Sequence, residues 1–241
     1  MPYDPFELAQ KTEQIVMRGE SKLYYRFRGG RWYGGIATAD CCGCPLRCIF
    51  CWGAKPRDNP QRFGQFYNPE QVFRNLTRIA EKRGYSLLRI SGNEPTVGKD
   101  HLLRILEMVD QTNYTFILET SGVILDADYA SQLSEFKNIH VRVSLKGASE
   151  EEFTRLTGAG PEGFQLQLNA LKNLVDAGVS CNPALMSSFS TKTSLQKLIF
   201  RLSEIDSSLP SRLEDEVVIL YPRVKKQLAR AGIEPFTYYN P

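Results

Sequence analysis

Short apolar runs alternate with amphipathic stretches between residues 34 and 221. Six apolar runs of strand length are each followed by polar residues and by a segment with the apolar spacing of a helix. The predicted strands are 34–39, 86–90, 114–118, 139–145, 179–186 and 216–220. The predicted helices are 69–82, 100–110, 126–134, 150–156, 164–177 and 194–205. Strands that alternate with helices predict an α/β fold with a parallel sheet and helices outside.

The number of β/α units limits the architecture. Six units are too few for the closed eight-stranded barrel. The pattern therefore predicts an open parallel sheet curved into a partial (β/α)6 barrel. We expect a single domain over residues 1–241, with a core at about 34–221 and extensions at 1–33 and 222–241.

The N-terminal extension contains two features. Apolar residues within 1–20 have the spacing of a short helix that packs on the outside of the core. Residues 21–34, with the sequence SKLYYRFRGGRWYG, mix basic and aromatic side chains. This mixture is found on surfaces that bind nucleic acid, but it also suits a β-hairpin that turns at Gly29 and Gly30. We favour the hairpin.

Composition narrows the class of protein. The chain has 241 residues, ordinary hydrophobic and charged fractions of 42% and 24%, and a net charge of +3. This charge is too small to indicate a nucleic-acid partner by itself. A basic helix at 223–230 is interpreted as a solvated face, with a polyanionic partner as the alternative. No apolar run has membrane-spanning length and no secretory signal pattern is present, so we expect a cytoplasmic protein without a membrane partner.

Cysteines supply the main chemical signal. Five of the six cysteines lie between residues 41 and 51, and Cys44, Cys48 and Cys51 have C-x3-C-x2-C spacing. Three thiolates on one loop can hold three irons of a 4Fe–4S cluster, whereas four is the usual number, so one iron would remain open to another ligand. A zinc site favours two C-x2-C pairs or added histidines. A disulfide framework suits short secreted chains.

At these residues the chain resembles the radical S-adenosylmethionine (radical SAM) superfamily. That superfamily has a C-x3-C-x-aromatic-C motif, with Phe50 as the aromatic residue here, and a core of the partial-barrel type. The segment 43–48 is most similar to the activating enzymes of glycyl-radical enzymes. The resemblance implies that S-adenosylmethionine binds the fourth iron and is cleaved by the reduced cluster. The resulting 5′-deoxyadenosyl radical abstracts hydrogen from a substrate. It also implies a reducing partner of the flavodoxin or ferredoxin type.

A second motif follows the second predicted strand. Gly92, Asn93 and Glu94 precede Pro95 and resemble a Gly-Gly-Glu-Pro motif that contacts the amino group of S-adenosylmethionine. Asn93 replaces the second glycine, and asparagine is the commonest substitute where φ is positive. The alternative is an ordinary turn between a strand and a helix.

The ends of the third and fourth predicted strands have similar matches. Glu119 and Thr120 resemble the Asp-Thr of activating enzymes, which lies beside bound S-adenosylmethionine and can hold a cation. Ser144 and Lys146 match a segment whose lysine lies near the methionyl carboxylate, a charge-assisted contact. The alternatives are a simple strand-end turn at Glu119 and a solvated lysine at Lys146.

The fifth predicted strand adds weaker candidates. Asn182 or Ser188 can contact the ribose or carboxylate of S-adenosylmethionine. Cys181 is either a core thiol, which we favour, or a catalytic hydrogen-atom donor facing the cavity. Cys41 and Cys42 are interpreted as packing residues at the end of the first strand.

Three functions remain. The first is a radical SAM enzyme that abstracts hydrogen from a substrate, as an activase would from a glycine of a partner protein. The second is a maturase or biosynthetic enzyme of the same superfamily, acting on a peptide, a nucleoside or a small metabolite. The third, of another class, is an iron–sulfur electron carrier or redox sensor. That function would require four cysteine ligands and no S-adenosylmethionine site.

Overall fold

A computed structural model describes residues 1–241. The strands, numbered in chain order, are β1 Met17–Arg18, β2 Ser21–Gly30, β3 Ile36–Cys41, β4 Gln65–Tyr67, β5 Leu87–Ser91, β6 Thr115–Thr120, β7 Ile139–Leu145, β8 Cys181–Met186, β9 Glu214–Glu216, β10 Val218–Ile219 and β11 Tyr238–Tyr239. The helices are α1 Pro5–Val16, α2 Ala54–Asp58, α3 Pro60–Phe63, α4 Pro69–Arg83, α5 Lys99–Asp110, α6 Ala127–Leu133, α7 Glu150–Thr157, α8 Glu162–Asp176, α9 Lys192–Ile205 and α10 Pro222–Ala231.

Six strands form a continuous parallel sheet. The order is β3, β5, β6, β7, β8, β9, and each strand is hydrogen-bonded to the next in parallel register. Strand β2 continues the sheet beyond β3 in antiparallel register, and β1 and β4 pair with β2. The sheet does not close on itself. The predicted α/β fold, with an open parallel sheet of the partial-barrel type and helices outside, is confirmed.

Side-chain caps explain where several helices begin. Asn68 accepts a hydrogen bond from the backbone of Gln71, whose own side chain accepts from the backbone of Asn68, and Pro69 is the first helical residue of α4. Such a capping box satisfies two backbone donors at the helix start. Ser149 caps α7 through the backbone N–H of Glu152.

The predicted hairpin exists, but its turn begins three residues later than expected, at Trp32 instead of Gly29. Gly29 and Gly30 are not turn residues: they pair with Ala37 and Ile36 inside the β2–β3 ladder. The chain reverses instead through a short 3-10 turn at Trp32–Gly34. Adjacent glycines are common in tight turns, but here the register of the sheet determines their place.

The sixth strand is also displaced from the prediction. Residues 216–220 were expected to form it, whereas β9 consists of the acidic residues Glu214–Glu216 and pairs with β8. The apolar pair Val218–Ile219 forms β10 and pairs with the C-terminal β11. Ion pairs of Glu214 and Glu216 with Arg142 hold β9 against the sheet, which an apolar pattern does not reveal.

Residues 52–64, which follow the cysteine loop, contain the short helices α2 and α3. Pro60 starts α3, where its fixed φ and missing N–H cost nothing. No helix of the protein combines the length and the apolar character needed to cross a bilayer.

Successive side chains of each strand point to opposite faces of the sheet, so that one face packs in the apolar core and the other lines the polar barrel interior. On β7, Val141 and Val143 are fully buried in the core that the helices cover. The intervening Arg142 and Ser144 line a cavity on the opposite side of the sheet. The candidate functional residues lie in this interior.

Candidate active site

One cavity of about 1050 Å³ occupies the barrel interior. Its walls come from the ends of the parallel strands and the loops that follow them, where ligands of parallel sheets bind. The structure brings together in this cavity all but three of the predicted site residues: Cys44, Cys48, Phe50, Cys51, Gly92, Asn93, Glu94, Glu119, Thr120, Ser144 and Lys146.

The cysteine loop follows β3 and is anchored on both sides. The backbone N–H of Ile49 donates to the carbonyl oxygen of Leu156 at 2.9 Å. Arg57 Nη1 donates to the carbonyl oxygen of Cys48 at 2.9 Å. The Phe50 ring stacks on Phe189, with ring centroids 5.6 Å apart. These contacts fix the conformation of the loop independently of any bound group.

All six cysteines are free. Burial raises the pKa of the Cys44, Cys48 and Cys51 thiols, that of Cys48 to about 11. No three His, Cys, Asp or Glu side chains of the chain are close enough together to hold a single metal ion. The three thiols nevertheless face one cavity, and a multi-iron cluster is larger than a single ion.

Asn93 joins the β5 loop to both ends of the cysteine loop. Its Oδ1 accepts from the N–H of Gly43 at 3.1 Å, and its Nδ2 donates to the carbonyl oxygen of Gly53 at 3.2 Å. The positive φ belongs to Gly92, at 96°, and not to Asn93. A Cβ at Gly92 would lie 2.9 Å from Asp40 Cβ. Asn93 therefore does not replace a left-handed glycine, as considered from the sequence, but contributes a side-chain clamp.

The carboxylate of Glu94 is buried and binds protein groups. It accepts hydrogen bonds from the hydroxyls of Thr96, Thr120 and Ser121 at 2.7, 2.6 and 2.5 Å, and from the N–H of Ser121 at 2.9 Å. Its side chain thus ties the loop after β5 to the end of β6. The Glu94 carboxylate is therefore occupied by protein donors, and its N–H donates to the carbonyl oxygen of Gly43.

Lys22 fixes the same loop from β2. It is 1% exposed, and its ammonium donates to the carbonyl oxygens of Glu94, Pro95 and Val97 at 3.0, 2.8 and 2.5 Å. Burial lowers the pKa of Lys22. Lys22 was not predicted as a site residue. Its position beside Leu23 and Tyr24 in a predicted strand was the only available signal.

A charged network crosses the cavity floor from β5 to β9. Arg89 donates to Glu119 at 2.8 Å, and Ser91 donates to the other oxygen of Glu119 at 2.7 Å. Arg142 forms ion pairs with Glu214 at 2.7 Å and Glu216 at 2.6 Å. Arg89 and Arg142 were not predicted, although a lone arginine inside an apolar strand indicates a buried partner.

Lys146 reaches into the cavity from the end of β7. Its ammonium donates to Ser144 Oγ at 2.5 Å, and that hydroxyl donates to Glu216 at 3.0 Å. The Gln167 side chain holds the backbone next to Lys146. It accepts from the N–H of Lys146 and donates to the carbonyl oxygen of Ser144. The position of the ammonium is therefore well defined.

Three predicted residues lie outside the cavity. The Ser188 hydroxyl accepts from the N–H of Val218 at 2.9 Å, and the Asn182 side chain binds His140 and Glu214. Cys181 is 1% exposed at the amino end of β8, in the apolar core, where burial raises its pKa to about 11. The ligand role of Asn182 and Ser188 and the catalytic alternative for Cys181 do not agree with these positions. Cys181 fits the core alternative.

The two spare cysteines near the motif are packing residues. Cys41 and Cys42 are both fully buried, and Cys42 packs with Val16, Leu23 and Val97. Neither lines the cavity that contains the other three thiols.

Exposed aromatic rings surround the mouth of the cavity. Both tryptophans of the chain are among them, Trp32 at 64% exposure and Trp52 at 47%. Tyr33, Tyr221 and Tyr239 are also exposed lining residues. Arg26 lies over the Trp52 ring, 5.5 Å from its centroid. The entrance thus offers flat apolar surfaces to a ligand larger than the cavity.

Comparison with known proteins gives the sequence relatives of this chain. Mycofactocin maturase MftC of Mycolicibacterium smegmatis is 27% identical over 138 residues, which are 56% of this chain and 32% of the relative. PqqA peptide cyclase of Granulibacter bethesdensis is 31% identical over 140 residues, 56% of this chain and 35% of the relative. The chain thus spans about a third of the length of these two relatives.

Solved structures share the fold. Spore photoproduct lyase with bound AdoMet and dinucleoside spore photoproduct superposes with a TM-score of 0.61 at 16% identity, covering 86% of this chain and 63% of that one. Streptococcus suis SuiB bound to S-adenosylmethionine gives a TM-score of 0.56 at 15% identity, covering 83% and 48%.

The family of the chain is shown by a protein-family model that matches more than half of its residues. This family model, described as "Radical SAM superfamily", matches residues 40–189, which include the cysteine loop and the ends of β5 to β8. The cofactors of that superfamily are a 4Fe–4S cluster and S-adenosylmethionine, as predicted from the motif. The finer resemblance to glycyl-radical activating enzymes stays a prediction. The chain belongs to the radical SAM superfamily.

Proposed function

We propose that this protein is a radical SAM enzyme that abstracts a hydrogen atom from a peptide or protein segment. The observation that carries the proposal is the convergence of three thiols, the Gly92–Glu94 backbone and the Lys146 ammonium in one cavity. A glycine of a partner protein, as in an activase, is one form of such a substrate.

Cys44, Cys48 and Cys51 would hold three irons of the cluster. The fit is supported by their common cavity and by the rest of the chain's cysteines lying elsewhere. When bound, the cluster and S-adenosylmethionine supply hydrogen-atom abstraction, a chemistry that belongs to the cofactors. The protein binds them, orients them and keeps water out. Phe50, stacked on Phe189, covers one side of the cysteine loop.

The remaining predicted residues would bind S-adenosylmethionine. The backbone carbonyls of Gly92 and Asn93 can accept from the amino group at the cavity wall, whereas that of Glu94 is already bound by Lys22. Lys146 can pair with the methionyl carboxylate through a charge-assisted hydrogen bond. Thr120 and Glu119 lie on the adjacent wall of the cavity. Their own partners, Glu94 and Arg89, favour a positioning role for them.

A peptide substrate is supported by the cavity mouth and by the relatives. The exposed rings of Trp32, Tyr33 and Trp52 provide surface beyond the volume of the cofactors. One relative is named a peptide cyclase, and one structural neighbour is SuiB bound to the precursor peptide SuiA. We expect an external reductant of the flavodoxin or ferredoxin type to supply the electron.

The test is an anaerobic assay of the reconstituted protein. After reduction of the cluster and addition of S-adenosylmethionine, we expect 5′-deoxyadenosine and methionine by mass spectrometry. Cys51→Ala should lose the cluster and the products. Cys181→Ala is the matched control, because it removes a buried thiol outside the cavity and should keep both.

Two results would argue against the proposal. Full iron loading without a response of the cluster's EPR signal to S-adenosylmethionine would favour an electron carrier or redox sensor. If a nucleoside or a small metabolite stimulates product formation and peptides do not, the substrate is a nucleoside or small metabolite and not a peptide.

A further inference from the structure

Two buried arginines form part of the cavity floor without an assigned role. Arg89 on β5 is 4% exposed, and Arg142 on β7 is 8% exposed. Their strands lie on either side of β6, and Glu119 on that strand contacts both guanidinium groups, Arg89 at 2.8 Å and Arg142 at 3.9 Å. The two cations therefore converge on one point of the cavity.

Each guanidinium uses only part of its hydrogen-bonding capacity within the protein. Arg89 donates through Nε to the Thr38 hydroxyl and through Nη1 to Glu119. Arg142 donates through Nε to Glu214 and through Nη1 to Glu216. A guanidinium has five N–H donors. Both Nη2 groups are left without a partner in the chain.

The two Nη2 groups are not sealed from solvent. The only polar side-chain atoms that lack a partner and are also sealed from solvent are the hydroxyls of Tyr25 and Thr154. The Nη2 atoms of Arg89 and Arg142 are therefore accessible, and both residues line the cavity. Burying a charged donor without an acceptor is unfavourable, so these groups require an acceptor from a ligand or from water.

The carboxylates of the floor are already occupied. Glu119 accepts from Arg89 and Ser91, and Glu216 accepts from Arg142 and Ser144, with one donor on each oxygen. The third carboxylate, Glu214, accepts from Asn182 on its second oxygen. The floor thus has unused donors and no unused carboxylate oxygen, which selects a ligand that accepts hydrogen bonds.

Charged groups of the floor are paired with one another. Asp40 on β3 is shared by two arginines of β2. The four arginines Arg26, Arg28, Arg89 and Arg142 meet the four carboxylates of Asp40, Glu119, Glu214 and Glu216. Lys146 is the fifth cation, and it pairs with the methionyl carboxylate in the proposed function. The unused guanidinium N–H groups, and not a surplus of charge, therefore select the ligand of the floor.

We infer that Arg89 and Arg142 form a subsite for a carboxylate of the substrate. The inference rests on the proposed function, in which the substrate is a peptide, and specifies that the peptide presents an acidic side chain or its C-terminal carboxylate to the cavity floor. Planar guanidinium groups suit this ligand, because parallel N–H groups match the two carboxylate oxygens.

The test measures binding of small probes to the reconstituted protein with S-adenosylmethionine, by saturation-transfer NMR. N-acetylglycinate represents a C-terminus, the α-methylamide of N-acetylaspartate represents an acidic side chain, and N-acetylglycine methylamide is the neutral control. We expect an anionic probe to bind at least about tenfold more tightly than the neutral one. The tighter anionic probe identifies the source of the carboxylate.

Two variants locate the binding. Arg89→Gln should weaken the anionic probe by about tenfold or more and leave the affinity for S-adenosylmethionine within about threefold of wild type. Arg142→Gln should do the same. If the Arg142→Gln variant does not fold because Glu214 and Glu216 lose their counterion, the Arg89→Gln variant alone tests the location of the binding. Arg201→Gln, which removes an ion pair with Glu150 outside the cavity, is the matched control.

Three results would overturn the inference. These are equal binding of neutral and anionic probes, unchanged probe binding in Arg89→Gln, or a parallel loss of S-adenosylmethionine binding in that variant. The last result would assign the guanidinium to the cofactor. Failure of the proposed function is separate: it appears as absent 5′-deoxyadenosine, whereas probe binding requires no turnover.

Discussion

At the residue scale, the most informative position is one where the chain departs from the motif of its family. Asn93 stands where the similar motif has glycine, and its amide bridges Gly43 and Gly53 on either side of the three motif cysteines. Such a bridge restricts the loop before any cofactor binds. The sequence showed the departure but not its partners, because Gly43 and Gly53 are distant in the chain.

The Asn93→Ala variant should lose its cluster faster than wild type. Two hydrogen bonds of about 1 kcal/mol each would be removed, enough for an increase of about tenfold or more in the rate of iron release. The decay of visible iron–sulfur absorbance in a chelator measures this rate. Asn169→Ala, on the exposed face of α8, is the control. Equal decay of the two variants would contradict the clamp.

His101 should make folding stability depend on pH. It is buried between the Tyr24 hydroxyl and the Glu20 carbonyl oxygen, and burial lowers its pKa to about 4. The unfolded chain takes up this proton near pH 6.5, and the folded protein does not until about pH 4. The contribution of His101 to the free energy of unfolding is therefore complete above pH 6.5. It falls as the pH decreases, by about 3 kcal/mol in total.

Urea unfolding of the protein at about pH 7 and about pH 5 measures this dependence. The His101→Gln variant cannot take up the proton, so its stability should decrease less over the same interval. An identical decrease in both proteins would show that other groups cause it.

At the element scale, periodicity predicted most strands and helices because each has one face in the core. The failures occurred where partners outside the element determine its position. Strand β9 has no apolar face of its own and is held by Arg142, and the β2–β3 turn is placed by pairing of Gly29 and Gly30 with β3. A pattern confined to one segment does not contain these long-range contacts.

Strand β2 also fixes the Glu94 loop, so Lys22→Met should destabilise the protein. The substitution leaves three buried carbonyl oxygens without their donor, and we expect the free energy of unfolding to fall by about 2 kcal/mol. Urea unfolding of the apo-protein measures it. Lys11→Met, at an exposed position of α1, provides the comparison. A change no larger than that of Lys11→Met would refute the clamping role of Lys22.

At the scale of the whole molecule, the cavity exists because six parallel strands place their ends around one axis. One continuous apolar core includes residues from Tyr24 to Leu228, and the single domain stays a prediction. The cysteines and the strand-end motifs were recognisable from sequence because they lie in short segments. Arg89 and Arg142 were not, because their role depends on strands far apart in the chain.

Binding of S-adenosylmethionine should stabilise the whole fold, because the cavity is built from loops of several strands. A ligand at a concentration a hundred times its dissociation constant adds about 2.7 kcal/mol to the free energy of unfolding, which raises the midpoint of thermal unfolding by several degrees. Thermal unfolding of the anaerobic, cluster-loaded protein tests this, with Lys146→Ala as the weakened binder. No upward shift for wild type would contradict binding in the cavity.

The pairing of Arg142 with two carboxylates also has an evolutionary consequence. Replacement of Arg142 alone would leave Glu214 and Glu216 facing each other without a counterion inside the barrel. Loss of both acids would leave this buried cation with only Glu119, at 3.9 Å. A change of the arginine is therefore unfavourable unless the acids change with it. Across descendants of this sequence, we expect residues 142, 214 and 216 to change together, as a co-varying set, although 72 positions separate the first two.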